Sequence, residues 1–181
     1  LIYALQAKED ERFKEHSGID LKSVARAVAF GGKRGGGSTI TQQLAKLLFT
    51  GSRSQNKTTA VFQKLKEWVV AVSLEKRYTK EEIITLYFNK FDFLYNANGI
   101  EMASRVYFNK STAQLTLPEA AMFVAMLENP VKNNPMRNEE RAKKRRDVVL
   151  DQMVKTGYLD QQNYQKAIET PIALDYHPIK S

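Results

Sequence analysis

The sequence predicts an all-α fold, and three observations carry that expectation. Apolar residues recur three and four apart along most of the chain. Helix-capping tetrads head two of those runs, and no stretch alternates polar with apolar over the length of a strand. At 181 residues the chain is long enough for one sizeable core and short for two independent domains, so a single domain over 1–181 is expected.

The elements follow in order. The opening Leu1-Ile2-Tyr3-Ala4-Leu5 is not a signal peptide, and the chain reads as a segment excised from something longer. After Asp20, a plausible N-cap, Leu21, Val24, Ala25 and Val28 mark a helix that Gly31-Gly32 stops. Gly31 to Gly37 then forms a loop with few side chains to pin it. Ser38 is placed to cap the next helix, whose Ile40, Leu44, Leu47 and Leu48 share one face and end near Gly51. From about Thr59 to Arg77 runs the most informative helix. Its Val61, Leu65, Trp68, Val69 and Val72 form one stripe, and Val70, Ala71 and Leu74 cover most of the remaining circumference, the pattern of a central, buried helix. Thr79-Lys80-Glu81-Glu82 is a capping box for a helix carrying Ile83, Ile84, Leu86, Tyr87 and Phe88, and Thr116-Leu117-Pro118-Glu119 repeats the device before Ala120 to Leu127. A basic helix from Asn138 to Thr156 turns Val148, Val149 and Met153 inward, and Asp160 to Glu169 is a short last one.

Charge and composition narrow the chemistry. Twenty-eight Lys and Arg against 20 Asp and Glu give a net charge of +8, which favours partners bearing phosphate: nucleic acid, an anionic membrane, or a phosphorylated substrate. The absence of cysteine excludes disulfides and thiolate zinc sites, and two histidines, His16 and His177, leave little for a histidine-built metal site. No stretch approaches the ~20 apolar residues of a membrane span. Lys143-Lys144-Arg145-Arg146 is an exposed basic face without the interleaved aromatics of a nucleic-acid module.

Two polar blocks break the helical pattern, and such rule-breaking is where function tends to sit. In the first, Glu9 and Asp10 are adjacent. Neighbours on a helix do not share a face, so one acid can point into a cleft while the other makes structural hydrogen bonds. His16 is read as a local hydrogen-bonder. In the second block, Ser38, Thr39, Gln42 and Gln43 offer the uncharged donors and acceptors that a sugar or amide-bearing ligand requires. On the long helix, Lys64 and Glu67 stand three apart and therefore side by side.

These blocks belong to a larger pattern. Glu9-Asp10-x-x-Phe13-x-x-His16-x-Gly18 and Gly37-Ser38-Thr39-Ile40-x-Gln42-Gln43-x-x-Lys46 resemble the first two signatures of the peptidoglycan glycosyltransferases. Lys64-x-x-Glu67-x-x-x-Ala71-x-x-Leu74-Glu75 resembles the third, Tyr78-Thr79-Lys80-Glu81-Glu82-Ile83-Ile84-x-x-Tyr87-x-Asn89 the fourth, and Arg145-Arg146-x-Val148-Val149-Leu150-x-x-Met153 the fifth. The order is right and most of the chain is covered. The third signature usually opens with a basic pair, whereas Gln63 precedes Lys64 here.

The resemblance implies an all-α, lysozyme-like larger lobe with a smaller mobile jaw, approximately 31–62, lying against the membrane. It implies the glycosyltransferase domain of a class A penicillin-binding protein or a monofunctional transglycosylase, at the extracytoplasmic face of a bacterial cell membrane. The implied substrate is lipid II, a disaccharide-pentapeptide on undecaprenyl pyrophosphate, joined to a growing glycan strand. Further implied partners are the anionic membrane surface and a transpeptidase domain or other cell-wall synthesis proteins, with no nucleic acid. Glu9 is then the catalytic base. Glu67 stands on the leaving-group side, positioning the pyrophosphate with Lys64 and Lys46 or as ligand of a divalent cation, Mg or Mn, with no organic cofactor. Asp10, Arg12, Phe13, His16, Ser38, Thr39, Gln42, Gln43 and Lys57 complete the substrate-binding set, Asp10 orienting its loop and Arg12 and Lys57 as further phosphate contacts. Two rivals use the same residues differently: a lysozyme-like muramidase or lytic transglycosylase, which needs no lysines aimed at a diphosphate, and a non-enzymatic basic helical module, which leaves Glu9 and Glu67 without a task.

Overall fold

The computed structural model describes residues 1–29, 37–51 and 54–179, and among these it is all-α, with one isolated bridge between Asp92 and Asn98 and no strand. Most of the expected glycine loop, together with Arg53, lies outside the described residues. The helices are α1 (Ile2–Glu9), α2 (Leu21–Ala29), α3 (Ile40–Ala45, prolonged as a wider turn Lys46–Thr50), α4 (Lys57–Arg77), α5 (Lys80–Lys90), α6 (Ile100–Phe108), α7 (Leu117–Glu128), α8 (Glu139–Lys155) and α9 (Gln161–Glu169). The chain divides into two compact units, one of Leu1–Lys8 with Phe91–Ser181 and one of Glu9–Lys90.

The first unit is built around α7. The Thr116/Glu119 capping box fixes its start, and every residue from Ala120 to Leu127 is buried. Phe123 is the hub: the rings of Phe93, Tyr107 and Phe108 stand edge-on to it at 5.3, 5.8 and 5.4 Å. α8 packs on α7 through Ala142, Arg146, Val149, Leu150 and Met153, a stripe at i, i+4, i+7, i+8 and i+11. The expected inward Val148 is instead exposed, because this stripe runs through Arg146, a residue that a hydrophobic pattern does not count. The Arg146 guanidinium is satisfied inside the protein by Asp147 and by the carbonyls of Thr170 and Ile168 at 2.7 and 3.2 Å.

α6 has no counterpart in the expected elements. It is nine residues long and follows an irregular turn in which Leu94, Tyr95 and Asn96 all take positive φ. Its end was legible in retrospect, since Asn109 closes it in the left-handed conformation at φ 52°.

The second unit packs differently. α3 is its core, with Ile40, Thr41, Gln42, Leu44 and Ala45 buried against α4 and α5. α5 contributes Ile83, Ile84, Tyr87 and Phe88. The capping boxes at Thr79/Glu82 and Thr39/Gln42 set both helix starts, so Thr39, not Ser38, caps α3. α4 is not the buried central helix that its sequence suggests. Only Glu67 and Ala71 are buried on it, while Val61, Phe62, Leu65 and Val69 are exposed. α2 buries none of its residues, leaving Leu21 and Val28 in solvent, and Leu47 and Phe49 are exposed beyond α3. Among the described residues no helix is long and apolar enough to cross a membrane.

Candidate active site

A tightly fastened loop presents the first acidic block. Asp10 Oδ2 accepts the backbone N–H of Ile40 at 3.0 Å, and its carboxylate receives His16 Nε2 at 2.9 Å. His16 Nδ1 accepts the N–H of Gly18 at 3.2 Å, which leaves the ring proton on Nε2 facing Asp10. Gly18 at φ 93° lies against α4 so closely that an added Cβ would meet the Ala71 carbonyl at 2.9 Å; only glycine fits both conditions. The Gly18 carbonyl accepts from Thr39 Oγ1 at 2.7 Å. From α5, Lys80 donates to the His16 carbonyl (2.6 Å) and to Glu75 (2.8 Å), and its ammonium lies 4.3 Å from the centre of the Phe13 ring. Thr41 Oγ1 completes this knot by donating to Glu75 at 2.6 Å.

Glu9, the last residue of α1, stands at the edge of that loop. Its Oε2 accepts from Gln43 Nε2 at 3.0 Å, and Gln43 Oε1 accepts in turn from the Tyr87 hydroxyl at 2.7 Å. Burial raises the pKa of Tyr87 far above the ordinary phenol range, and the negative charge of Glu9 raises it further. Glu67 lives in another environment. It is buried on α4, takes a 3.0 Å contact from Lys64, and the same ammonium donates to Ser38 Oγ at 2.7 Å. Ser38, Lys64 and Glu67 therefore tie the segment before α3 to the middle of α4.

The structure sorts the expected site residues into two sets. Glu9 with Gln43 and Ser38 with Lys64 and Glu67 are joined in direct contacts, and Lys46 is exposed at the end of α3. Phe13, Thr39 and Gln42 are corrected from ligand contacts to supports: at 1%, 2% and 0% exposure they present no surface to a substrate. Gln42 Oε1 accepts the Thr39 N–H within the capping box, and its Nε2 is buried without a partner in the structure. Asp10 and His16 likewise turn on one another. Arg12 pairs with Asp20, whose carboxylate also caps α2 by accepting from Lys22 and Ser23. Lys57 is exposed in the first turn of α4. Neither Tyr87 nor the Glu75–Lys80 pair is among the expected site residues, although the structure joins them to that site. Tyr87 and Gln43 are 44 residues apart, and no local pattern links them.

A metal centre made by the protein does not fit these residues. Among the described residues no three His, Asp or Glu gather to hold an ion, and the one carboxylate proposed as ligand, Glu67, already holds a lysine. A divalent ion here would depend on the phosphates of a ligand for most of its coordination.

Comparison with known proteins agrees with this arrangement of motifs. A family profile described as transglycosylase matches residues 1–154. A penicillin-binding protein 1A of Pseudomonas aeruginosa is 42% identical over 181 residues, 97% of this chain and 21% of that protein. A penicillin-binding protein 1F of Bacillus subtilis is 42% identical over 160 residues, 86% of this chain and 22% of the relative. The chain thus spans about a fifth of the length of these relatives. A crystal structure of penicillin-binding protein 1A from Haemophilus influenzae aligns with a TM-score of 0.49 and 29% identity, over 75% of this chain and 17% of that one.

Proposed function

The chain belongs to the transglycosylase family, and on that premise we propose that it is a peptidoglycan glycosyltransferase, an inverting hexosyltransferase that polymerises lipid II into β-1,4-linked glycan. The observation that carries the assignment of roles is the unlike setting of two acids in one unit. Glu9 is oriented by a side-chain amide, whereas Glu67 is paired with a lysine. Two carboxylates in different surroundings are suited to different tasks.

Glu9 acts as general base. It takes the proton from the 4-hydroxyl of the acceptor sugar as that oxygen attacks C1 of the donor, opposite the pyrophosphate. The C1–O bond to phosphate breaks with its electron pair on the leaving group, and the configuration at C1 inverts. Lys64 and Lys46 neutralise the departing diphosphate, and Glu67 aims Lys64, since a carboxylate cannot itself hold phosphate oxygens. Ser38 shares the Lys64 ammonium and completes its direction. Asp10, His16 and Gly18 hold the loop that follows the base.

The setting follows from the same unit. Exposed Leu21, Val28, Leu47, Phe49, Val61, Phe62, Leu65 and Val69, with a chain charge of +8, suit a surface resting in the headgroup region of an anionic bilayer. We place the domain at the extracytoplasmic face of the bacterial membrane and expect a transpeptidase domain or another cell-wall synthesis protein as its partner; part of the expected jaw lies outside the described residues. Incubation with fluorescent lipid II in detergent, followed by gel separation of the strands, tests the assignment. The chain should yield a polymer ladder, and Glu9→Gln should lower the rate at least ~10²-fold while lipid II still binds. A Glu9→Gln rate near that of the parent would remove Glu9 as base.

A further inference from the structure

We propose that Tyr87 is a positioning residue for the Glu9 carboxylate, acting through the amide of Gln43; the proposal rests on the reading of Glu9 as base. An ionised carboxylate only accepts hydrogen bonds, whereas a primary amide is a donor on one side and an acceptor on the other. Gln43 therefore serves Glu9 in one of its two orientations, with Nε2 on Glu9 Oε2 at 3.0 Å. That orientation turns Oε1 toward α5, into a part-buried place where a donor satisfies it. The Tyr87 hydroxyl supplies it at 2.7 Å.

The three groups form a chain of donors running one way: hydroxyl to amide oxygen, amide N–H to carboxylate. Each bond polarises the next, so the phenol strengthens the hydrogen bond that reaches Glu9. Burial keeps the Tyr87 proton in place at any pH at which the enzyme works, and the donor is constant. Tyr87 is 1% exposed and presents no surface to a substrate, and its hydroxyl reaches toward Glu9 through the Gln43 amide. Among the described residues, ionisable groups on the neighbouring elements form pairs of their own, Asp10 with His16, Lys64 with Glu67 and Lys80 with Glu75, and Lys46 stands at the end of α3.

Three variants test this in steady-state lipid II polymerisation across pH. Tyr87→Phe removes one oxygen and keeps the ring. It should lower kcat about tenfold with KM nearly constant, and it should move the acidic limb of the profile upward by about one pH unit. The sign follows from the charge: losing a well-directed donor disfavours ionised Glu9, so a higher pH is needed to form the base. Gln43→Met should shift the limb in the same direction, and adding Tyr87→Phe to Gln43→Met should shift it no further. The double variant also leaves no amide oxygen stranded, so it serves if Tyr87→Phe alone folds poorly. A parental limb and kcat in Tyr87→Phe, or an additional shift in the double variant, would overturn the proposal. Glu9→Gln separates the two ideas: if it is inactive while Tyr87→Phe matches the parent, the positioning role falls and the base stands; if Glu9→Gln polymerises normally, the base itself is lost.

Discussion

The two units spend similar residues on opposite ends. In the unit of Phe91–Ser181 and the first eight residues, α7 is buried from Ala120 to Leu127 beside aromatic rings, and the buried arginine is hydrogen-bonded inside the protein. In the unit of Glu9–Lys90, valines, leucines and phenylalanines stand in solvent on α2 and α4, while Asp10, Asp20 and Glu67 are buried. Burying apolar surface stabilises a fold, and burying a carboxylate costs stability unless partners compensate. The first unit therefore carries stability, and the second carries positioned charge and an exposed apolar surface.

The sharpest way to break that contrast is to delete matched apolar groups from each. Phe123→Ala removes the hub of the aromatic cluster and should cost about 3–5 kcal/mol in denaturant unfolding, a large share of the roughly 5–15 kcal/mol that holds a domain folded. Val69→Ala on α4, 71% exposed, should change stability by no more than about 0.5 kcal/mol. Comparable losses at the two positions would mean that the exposed face of α4 is packed in solution and that the contrast is false.

That same face explains how far the sequence could be read. Period and caps placed the long helix, both capping boxes and the last two helices to within a residue or two, because these are local signals. Its burial was misjudged because a residue pattern records how apolar a helix is and not what covers it: a stripe meant for another phase and a stripe meant for a core look alike. The candidate acids were visible as apolar positions given to carboxylates. The contacts that arrange them were not, since Gln43 meets Tyr87 across 44 residues and Thr41 meets Glu75 across 34. Gln42 illustrates the limit in one residue. Its place beside Gln43 suggested a second ligand contact, yet one step along a helix turns a side chain by about 100°, and Gln42 points into the core.

A smaller effect tests whether the fastened loop matters to catalysis as well as folding. Gly18→Ala forces a side chain into a positive-φ position and against the Ala71 backbone at 2.9 Å. The expected loss is roughly 2 kcal/mol of stability. Because Gly18 also receives Thr39 and donates to His16, the loop after Glu9 should shift with it, and the polymerisation rate should fall by more than the loss of folded protein explains. A rate that simply follows the folded fraction would confine Gly18 to stability.

The smallest expected effect lies back in the first unit, where charge only trims a packed helix. Burial pulls the Glu119 carboxyl upward, but Lys110 at 2.6 Å and the Thr116 N–H and hydroxyl of the capping box outweigh it and hold the group below its ordinary value. A carboxyl depressed in the folded state stabilises above its unfolded pKa, and that contribution drains away as pH falls through the folded one. Glu119→Gln keeps an N3 side chain able to close the capping box and removes only the charge. It should lower the melting temperature at pH 7 by about 2 °C and lose that penalty as pH falls through the folded-state pKa and the parent carboxyl takes up its proton. A penalty that persisted at low pH would belong to the shape of the cap, leaving the charge at the head of α7 without a share in the stability of the unit.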